Sequence, residues 1–149
     1  MTQPRAVTIL LVEDNHDHAE LTLRALKNGN VLNEVFWVKD GAEALDFLEH
    51  RGPYTDPATA PRPGLILLDL NLPKVDGHEV LRRIKADDTL RTIPVVMLTT
   101  SAREDEVSEC YKAGANSYMC KPVQFPEFME RVRTIKLYWL LTNLPPESK

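Results

Sequence analysis

Short apolar runs rich in β-branched residues alternate along the chain with stretches whose apolar residues recur at helical spacing. That alternation predicts βα units wound around a parallel sheet. The first run, Val7-Thr8-Ile9-Leu10-Leu11-Val12, is apolar almost throughout, as expected of a strand covered on both faces. Residues 17–27 then put Ala19, Leu23 and Leu26 on one helical face, and Asn28-Gly29-Asn30 halts that helix. Val35-Phe36-Trp37-Val38 reads as a second strand, and Asp40-Gly41 turns into a short helix carrying Ala44, Leu45 and Leu48. Leu65-Ile66-Leu67-Leu68 is the third strand and ends on Asp69; Pro73 and Asp76-Gly77 precede a helix bearing Val80, Leu81 and Ile84. Ile93 with Val95-Val96-Met97-Leu98 forms the fourth strand, ending at Thr99, and a helix through Val107, Cys110 and Tyr111 stops at Gly114. Tyr118-Met119-Cys120 is a short fifth strand that ends at Lys121-Pro122. The last helix places Phe125, Phe128, Met129, Val132, Ile135 and Trp139 at helical spacing.

Two stretches break this rhythm. Residues 51–64 hold Pro53, Pro57, Pro61 and Pro63, so no regular structure is expected there. A loop of that length in a compact domain is either functional or mobile. Over residues 131–144, Ile135, Leu137, Tyr138, Trp139, Leu140, Leu141 and Leu144 go nearly all round a helix. A terminal helix this apolar buries its second face against something. A homodimer contact is expected, the alternative being that the tail folds back on its own domain. There are no internal repeats. One domain is expected over residues 1–149, with a core over about 7–132 and a C-terminal helix and tail over about 124–149.

Composition narrows the classes. With 149 residues, 43% hydrophobic and 27% charged, the chain has an ordinary globular balance and is long enough to close a core. A net charge of −4 disfavours a nucleic-acid surface, which shows a basic stripe. No apolar run approaches the roughly 20 residues of a membrane helix, and the start lacks a signal-peptide core; the expectation is a cytoplasmic protein. Cys110 and Cys120 have no metal-site spacing and read as small buried hydrophobes.

The polar residues at the strand ends change the picture most. Glu13-Asp14, Asp69, Thr99 and Lys121 each follow the apolar run of a different strand. In a parallel sheet all carboxyl ends lie along one edge. If the strand order is 2-1-3-4-5, strands one and three flank the topological switch point where α/β ligands bind. Three acids would then share one pocket, and like charges that close resist joint ionisation unless a cation joins them. Hard carboxylate oxygens favour Mg²⁺ over Zn²⁺. A metal-bound aspartate beside a lysine suits phosphoryl transfer, with the carboxylate attacking in line and cations offsetting the charge on the phosphoryl oxygens.

These residues in this order resemble the receiver (CheY-like) family of two-component signalling. The resemblance runs from about Val7 to Val132 and is carried by Leu11-Val12-Glu13-Asp14, by Leu67-Leu68-Asp69-Leu70-Asn71-Leu72-Pro73 with Asp76-Gly77, by Pro94-Val95-Val96-Met97-Leu98-Thr99, and by the run from Ala113 to Pro122. It implies a flavodoxin-like, doubly wound (βα)5 domain of strand order 2-1-3-4-5. It also implies a stand-alone response regulator that takes a phosphoryl group from a sensor histidine kinase onto Asp69, with no turnover on an outside substrate. Asp14 resembles the direct Mg²⁺ ligand, Glu13 one acting through a water, and Asn71 the residue whose backbone carbonyl completes the protein ligands. Lys121 resembles the lysine that pairs with the acceptor and then with the phosphoryl group; the bond before Pro122 is often cis in the family. Thr99 resembles the hydroxyl that bonds a phosphoryl oxygen, and Tyr118 the aromatic that swings into the space vacated. Asn71 and Ser101 lie where receivers tune hydrolysis. At finer grain the chain resembles regulators paired with bacterial phytochromes, through the Pro-rich insertion, Leu70-Asn71-Leu72-Pro73, Leu98-Thr99-Thr100-Ser101 and the tail Tyr138-Trp139-Leu140. Output would pass through protein contacts on the face of the fourth helix, fifth strand and fifth helix.

Blander readings stand beside these. Glu13-Asp14 could cap the first helix, Thr99 could be a plain strand residue, Lys121 a solvated one and Tyr118 a core tyrosine. His16, His18, His50 and His78 read as exposed loop histidines. A haloacid-dehalogenase-like phosphatase would also use a strand-end Asp, Mg²⁺, a Thr and a Lys, but needs an acid two residues after the nucleophile, where this chain has Asn71. A flavodoxin-like cofactor binder would want a small-residue phosphate loop where this chain has Glu13-Asp14-Asn15. A receiver-fold docking module without phosphorylation is the remaining alternative.

Overall fold

In the strands nearly every side chain is apolar, and the pleat deals them alternately to two faces. Ile9, Leu11, Leu65, Leu67, Val96 and Leu98 join one core, Leu10, Val12, Ile66, Leu68, Val95 and Met97 the other. The computed structural model describes residues 7–100, 103–135, 137 and 141. Its strands are β1 (Ile9–Val12), β2 (Val35–Val38), β3 (Leu65–Asp69), β4 (Val95–Thr99) and β5 (Ser117–Cys120). All pairs are parallel, in the order β2-β1-β3-β4-β5. The expected α/β doubly wound order is therefore the observed one.

Among the described residues five α-helices connect and cover the sheet: α1 (His16–Asn28), α2 (Gly41–Glu49), α3 (Gly77–Ala86), α4 (Glu104–Lys112) and α5 (Phe125–Thr134). Helices α1 and α5 close one core with Ala19, Leu26, Phe128, Met129 and Val132; α2 and α3 close the other with Leu45, Phe47, Val80 and Ile84. The first strand begins at Ile9 rather than Val7. Asn15, not the acid pair, caps α1, its side chain accepting from the His18 N–H.

The structure departs from expectation in two stretches. Residues 51–64 are not wholly irregular: Gly52–Tyr54 form one 3-10 turn, and the Tyr54 hydroxyl donates to Glu43 on α2. Burial and that carboxylate push the Tyr54 phenol up to about 12. His50 adopts a left-handed conformation at the end of α2 and pairs its Nε2 with the Ala60 carbonyl at 2.8 Å, so it anchors this loop. The last helix ends at Thr134, earlier than the apolar spacing predicts, and the Leu137 N–H turns back to the Val132 carbonyl at 2.8 Å. Leu137 and Leu141 are buried in the α1–α5 core of their own domain. Those two residues fold back; Tyr138, Trp139, Leu140 and Leu144 lie outside the described residues. Among the described residues no helix is long and apolar enough to cross a membrane.

Candidate functional site at the carboxyl edge of the sheet

Strands β1, β3, β4 and β5 each deliver a polar side chain to the same edge of the sheet. β1 releases Glu13 and Asp14, β3 ends on Asp69, β4 ends on Thr99, and β5 passes into Lys121. The parallel register aligns Val12 with Leu68, Asp69 with Leu98, and Thr99 with Cys120. Side chains from positions 52 and 108 residues apart are thereby brought to hydrogen-bond distance.

At the centre lies an ammonium between two acids. Lys121 Nζ donates to Asp69 Oδ2 at 3.0 Å and to Glu13 Oε1 and Oε2 at 3.0 and 3.2 Å. All three side chains are nearly inaccessible, at 6% for Lys121, 3% for Asp69 and none for Glu13. Burial pushes the Glu13 carboxyl up to about 7, the nearby Asp69 adding to the rise and Lys121 opposing it. For Lys121, burial alone would favour the neutral amine, but its bonds to Glu13 and Asp69 prevail and hold it above the ordinary lysine value. Lys121 is therefore a charged, paired residue and not a solvated one.

Asp69 Oδ1 accepts from the Asn71 N–H at 3.1 Å, and the Lys121 N–H donates to the Thr99 carbonyl at 2.7 Å. Thr99 is buried and Asp14 exposed. The Lys121–Pro122 bond is cis. Gly77 opens α3 tight against this edge: a Cβ there would stand 2.3 Å from the Asp69 carbonyl and 2.6 Å from that of Leu70. Only glycine lets α3 start so near the end of β3.

The donor set fits a hard divalent cation. One carboxylate oxygen each from Glu13, Asp14 and Asp69 can be chosen so that all lie within 4.8 Å of one another, and hard carboxylate oxygens are the ligands such an ion takes. A second group of ligand-type side chains, His16, Asp17 and Glu20, is exposed on the outside of α1.

Tyr118 is not part of this hollow. Its half-buried ring lies between the Tyr111 ring, edge-on at 6.1 Å, and the Arg131 guanidinium at 5.1 Å. Cys110 is buried as expected, whereas Cys120 is only partly so. Ser101 lies outside the described residues. Two contacts were not anticipated from the residue order. Trp37 Nε1 donates to the Glu13 carbonyl at 2.7 Å, pinning the acidic turn to β2. His18, read above as an exposed loop residue, puts Nδ1 3.1 Å from Lys121 Nζ. Its signal was its position one turn before Thr22 and two before Leu26, on the inner stripe of α1.

Comparison with known proteins agrees with this geometry. Residues 9–133 match the model of the response regulator receiver domain. The chain is 46% identical over 139 residues to the Probable methanogenesis regulatory protein FilR2 of Methanothrix harundinacea, covering 93% of this chain and 86% of that one. It is 43% identical over 140 residues to the response regulator Rcp1 of Synechocystis, covering 94% and 93%. Among solved structures, the bacteriophytochrome response regulator AtBRR superposes with a TM-score of 0.83 at 45% identity, covering 95% of this chain and all of that one. The Mn²⁺-bound form of Rcp1 gives 0.73 at 42% identity, and the phosphorylated cyanobacterial phytochrome response regulator RcpA 0.74 at 45%; each covers 95% of this chain and 99% of the other. The chain belongs to the response regulator receiver domain family of phosphoacceptor signalling proteins and is closely related to the response regulators of bacteriophytochromes.

Proposed function

We propose that this chain is a single receiver domain whose Asp69 takes a phosphoryl group from the phosphohistidine of a sensor histidine kinase of the bacteriophytochrome type. Lys121, Glu13 and Asp69 locked together in a buried triad carry the reading. Two acids with only one lysine are costly to bury unless a further cation balances them. Kinase identity rests on the phytochrome-associated names of AtBRR, RtBRR and RcpA, and with such a donor the domain works in the cytoplasm.

In this reading Asp69 attacks phosphorus, an O–P bond forms, and the P–N bond to the kinase imidazole breaks, the imidazole nitrogen keeping the electron pair and taking a proton. Asp14, Asp69 and the Asn71 backbone carbonyl would hold Mg²⁺, with Glu13 acting through a water, and the ion would offset charge on the carboxylates and phosphoryl oxygens. Lys121 shifts one N–H from Asp69 to a phosphoryl oxygen. Thr99 donates its hydroxyl to another, and Tyr118 leaves its place between Tyr111 and Arg131 to fill the space behind Thr99. Partner contacts then change on the face of α4, β5 and α5. A homodimer is part of the proposal, its contact formed by tail residues beyond the buried Leu137 and Leu141. Sedimentation of the full chain against one ending near Arg133 checks this; a monomer in both refutes it.

Labelling by acetyl phosphate, with and without Mg²⁺, tests the chemistry. The parent takes up one phosphoryl group only with Mg²⁺, and Asp69→Asn takes up none. Label retained in that variant overturns the assignment.

A further inference from the structure

The phosphotransfer reading leaves His18 without a task, although its ring reaches the centre of the site. An ammonium has only N–H groups to offer, so His18 Nδ1, 3.1 Å from Lys121 Nζ, must accept, which puts the ring proton on Nε2. Lys121 then has a taker for each of its three protons: Asp69, Glu13 and His18. The ring is farther from Glu13 Oε2, at 3.9 Å, and His18 does not belong to the Glu13, Asp14 and Asp69 ligand group.

The imidazole is held from its own backbone. Asn15 Oδ1 accepts from the His18 N–H at 3.0 Å, and the His18 carbonyl accepts from Thr22 Oγ1 at 2.9 Å. A lysine is a compact charge on a flexible four-carbon stem with freely turning donors. Two carboxylates fix where such a charge sits, and a third acceptor on the α1 side fixes how it is turned. We propose that His18 is a positioning residue: by accepting the third Lys121 proton it aims the ammonium so that the N–H on Asp69 can pass to an incoming phosphoryl oxygen. This inference deepens the phosphotransfer reading and rests on it.

The site allows a clean substitution. His18 lines a cavity of about 180 Å³ with Leu21, Thr22, Thr100, Lys121 and Pro122, so His18→Leu fits while removing the acceptor. His18→Asn keeps an oxygen where Nδ1 stands, one bond beyond Cγ. With the full chain, phosphoramidate as donor and Mg²⁺ present, His18→Leu is expected to be phosphorylated about 10-fold more slowly, and His18→Asn within about 3-fold of the parent, the first being the worth of one hydrogen bond to a charged group. Mg²⁺ affinity, followed by tryptophan fluorescence, should stay the same in both. In nitrogen-detected spectra the Lys121 ammonium should be sharp in the parent and in His18→Asn and broadened in His18→Leu. A parental rate in His18→Leu overturns the proposal, as does an Asn variant no faster than the Leu variant. If the parent itself takes no phosphoryl group, the phosphotransfer reading fails. The ammonium spectrum then still judges His18, and an unchanged Lys121 signal in His18→Leu overturns its positioning role.

Discussion

Two lysines with poorly solvated head groups sit at opposite edges of the same sheet, and their surroundings differ in one respect. Lys121, at the carboxyl edge, bonds two carboxylates and an imidazole. Lys85, at the end of α3 near the amino edge, bonds only neutral oxygens among the described residues: the carbonyls of Arg91 and Ile93 at 3.1 and 3.0 Å, and Asn116 Oδ1 at 3.5 Å. Burial lowers the pKa of Lys85, whereas Lys121 is held above its ordinary value despite burial. Neutral acceptors satisfy an ammonium without balancing its charge, so the gain is structural. Lys85 ties the entry of β4 to that of β5, since Asn116 Oδ1 also accepts from the Val95 N–H at 2.9 Å. Carboxylate acceptors balance the charge and make the ammonium a counterion that a phosphoryl oxygen can compete for.

Removing each lysine in turn should separate these tasks. The largest effect is expected for Lys121→Met, which should slow phosphorylation by acetyl phosphate about 100-fold, the scale of one preorganised charge-stabilising donor. Lys85→Met at the opposite edge should leave that rate unchanged, and equal losses in both variants would break the comparison. On stability, Lys85→Met is expected to cost about 1–2 kcal/mol in urea titration, from leaving two main-chain carbonyls short of a donor. An unaltered urea midpoint would show that water replaces the staple.

A pH-dependent effect sharpens the description of the acidic edge. The Glu13 carboxyl rises from 4.5 to about 7 on folding, so the folded chain holds a proton that the unfolded chain has released. Without divalent cations, stability should therefore fall as pH rises from about 4.5 to 7 and level off above that. Glu13→Gln should flatten this slope, and Mg²⁺ should suppress it by taking the place of the proton. A slope that survives the substitution would assign it to another group.

Much of this molecule was legible before its coordinates. Apolar runs and helical spacing are local properties, so Val35–Val38 and the five βα units could be read directly. The residues that follow each strand could be read the same way, and parallel pairing then obliges Glu13, Asp69 and Lys121 to share an edge. The end of α5 was not legible, because apolar spacing continues past Thr134 whether the chain stays helical or turns back to bury Leu137 and Leu141. Nor was the Tyr54 anchor of the proline-rich loop, which depends on Glu43 of another element. His18 shows the division most sharply. Its place on the inner stripe of α1 is written in the sequence, but its partner is 103 residues away. A contact over that separation is set by how α1 and the turn after β5 pack on the sheet, and only the folded chain decides it.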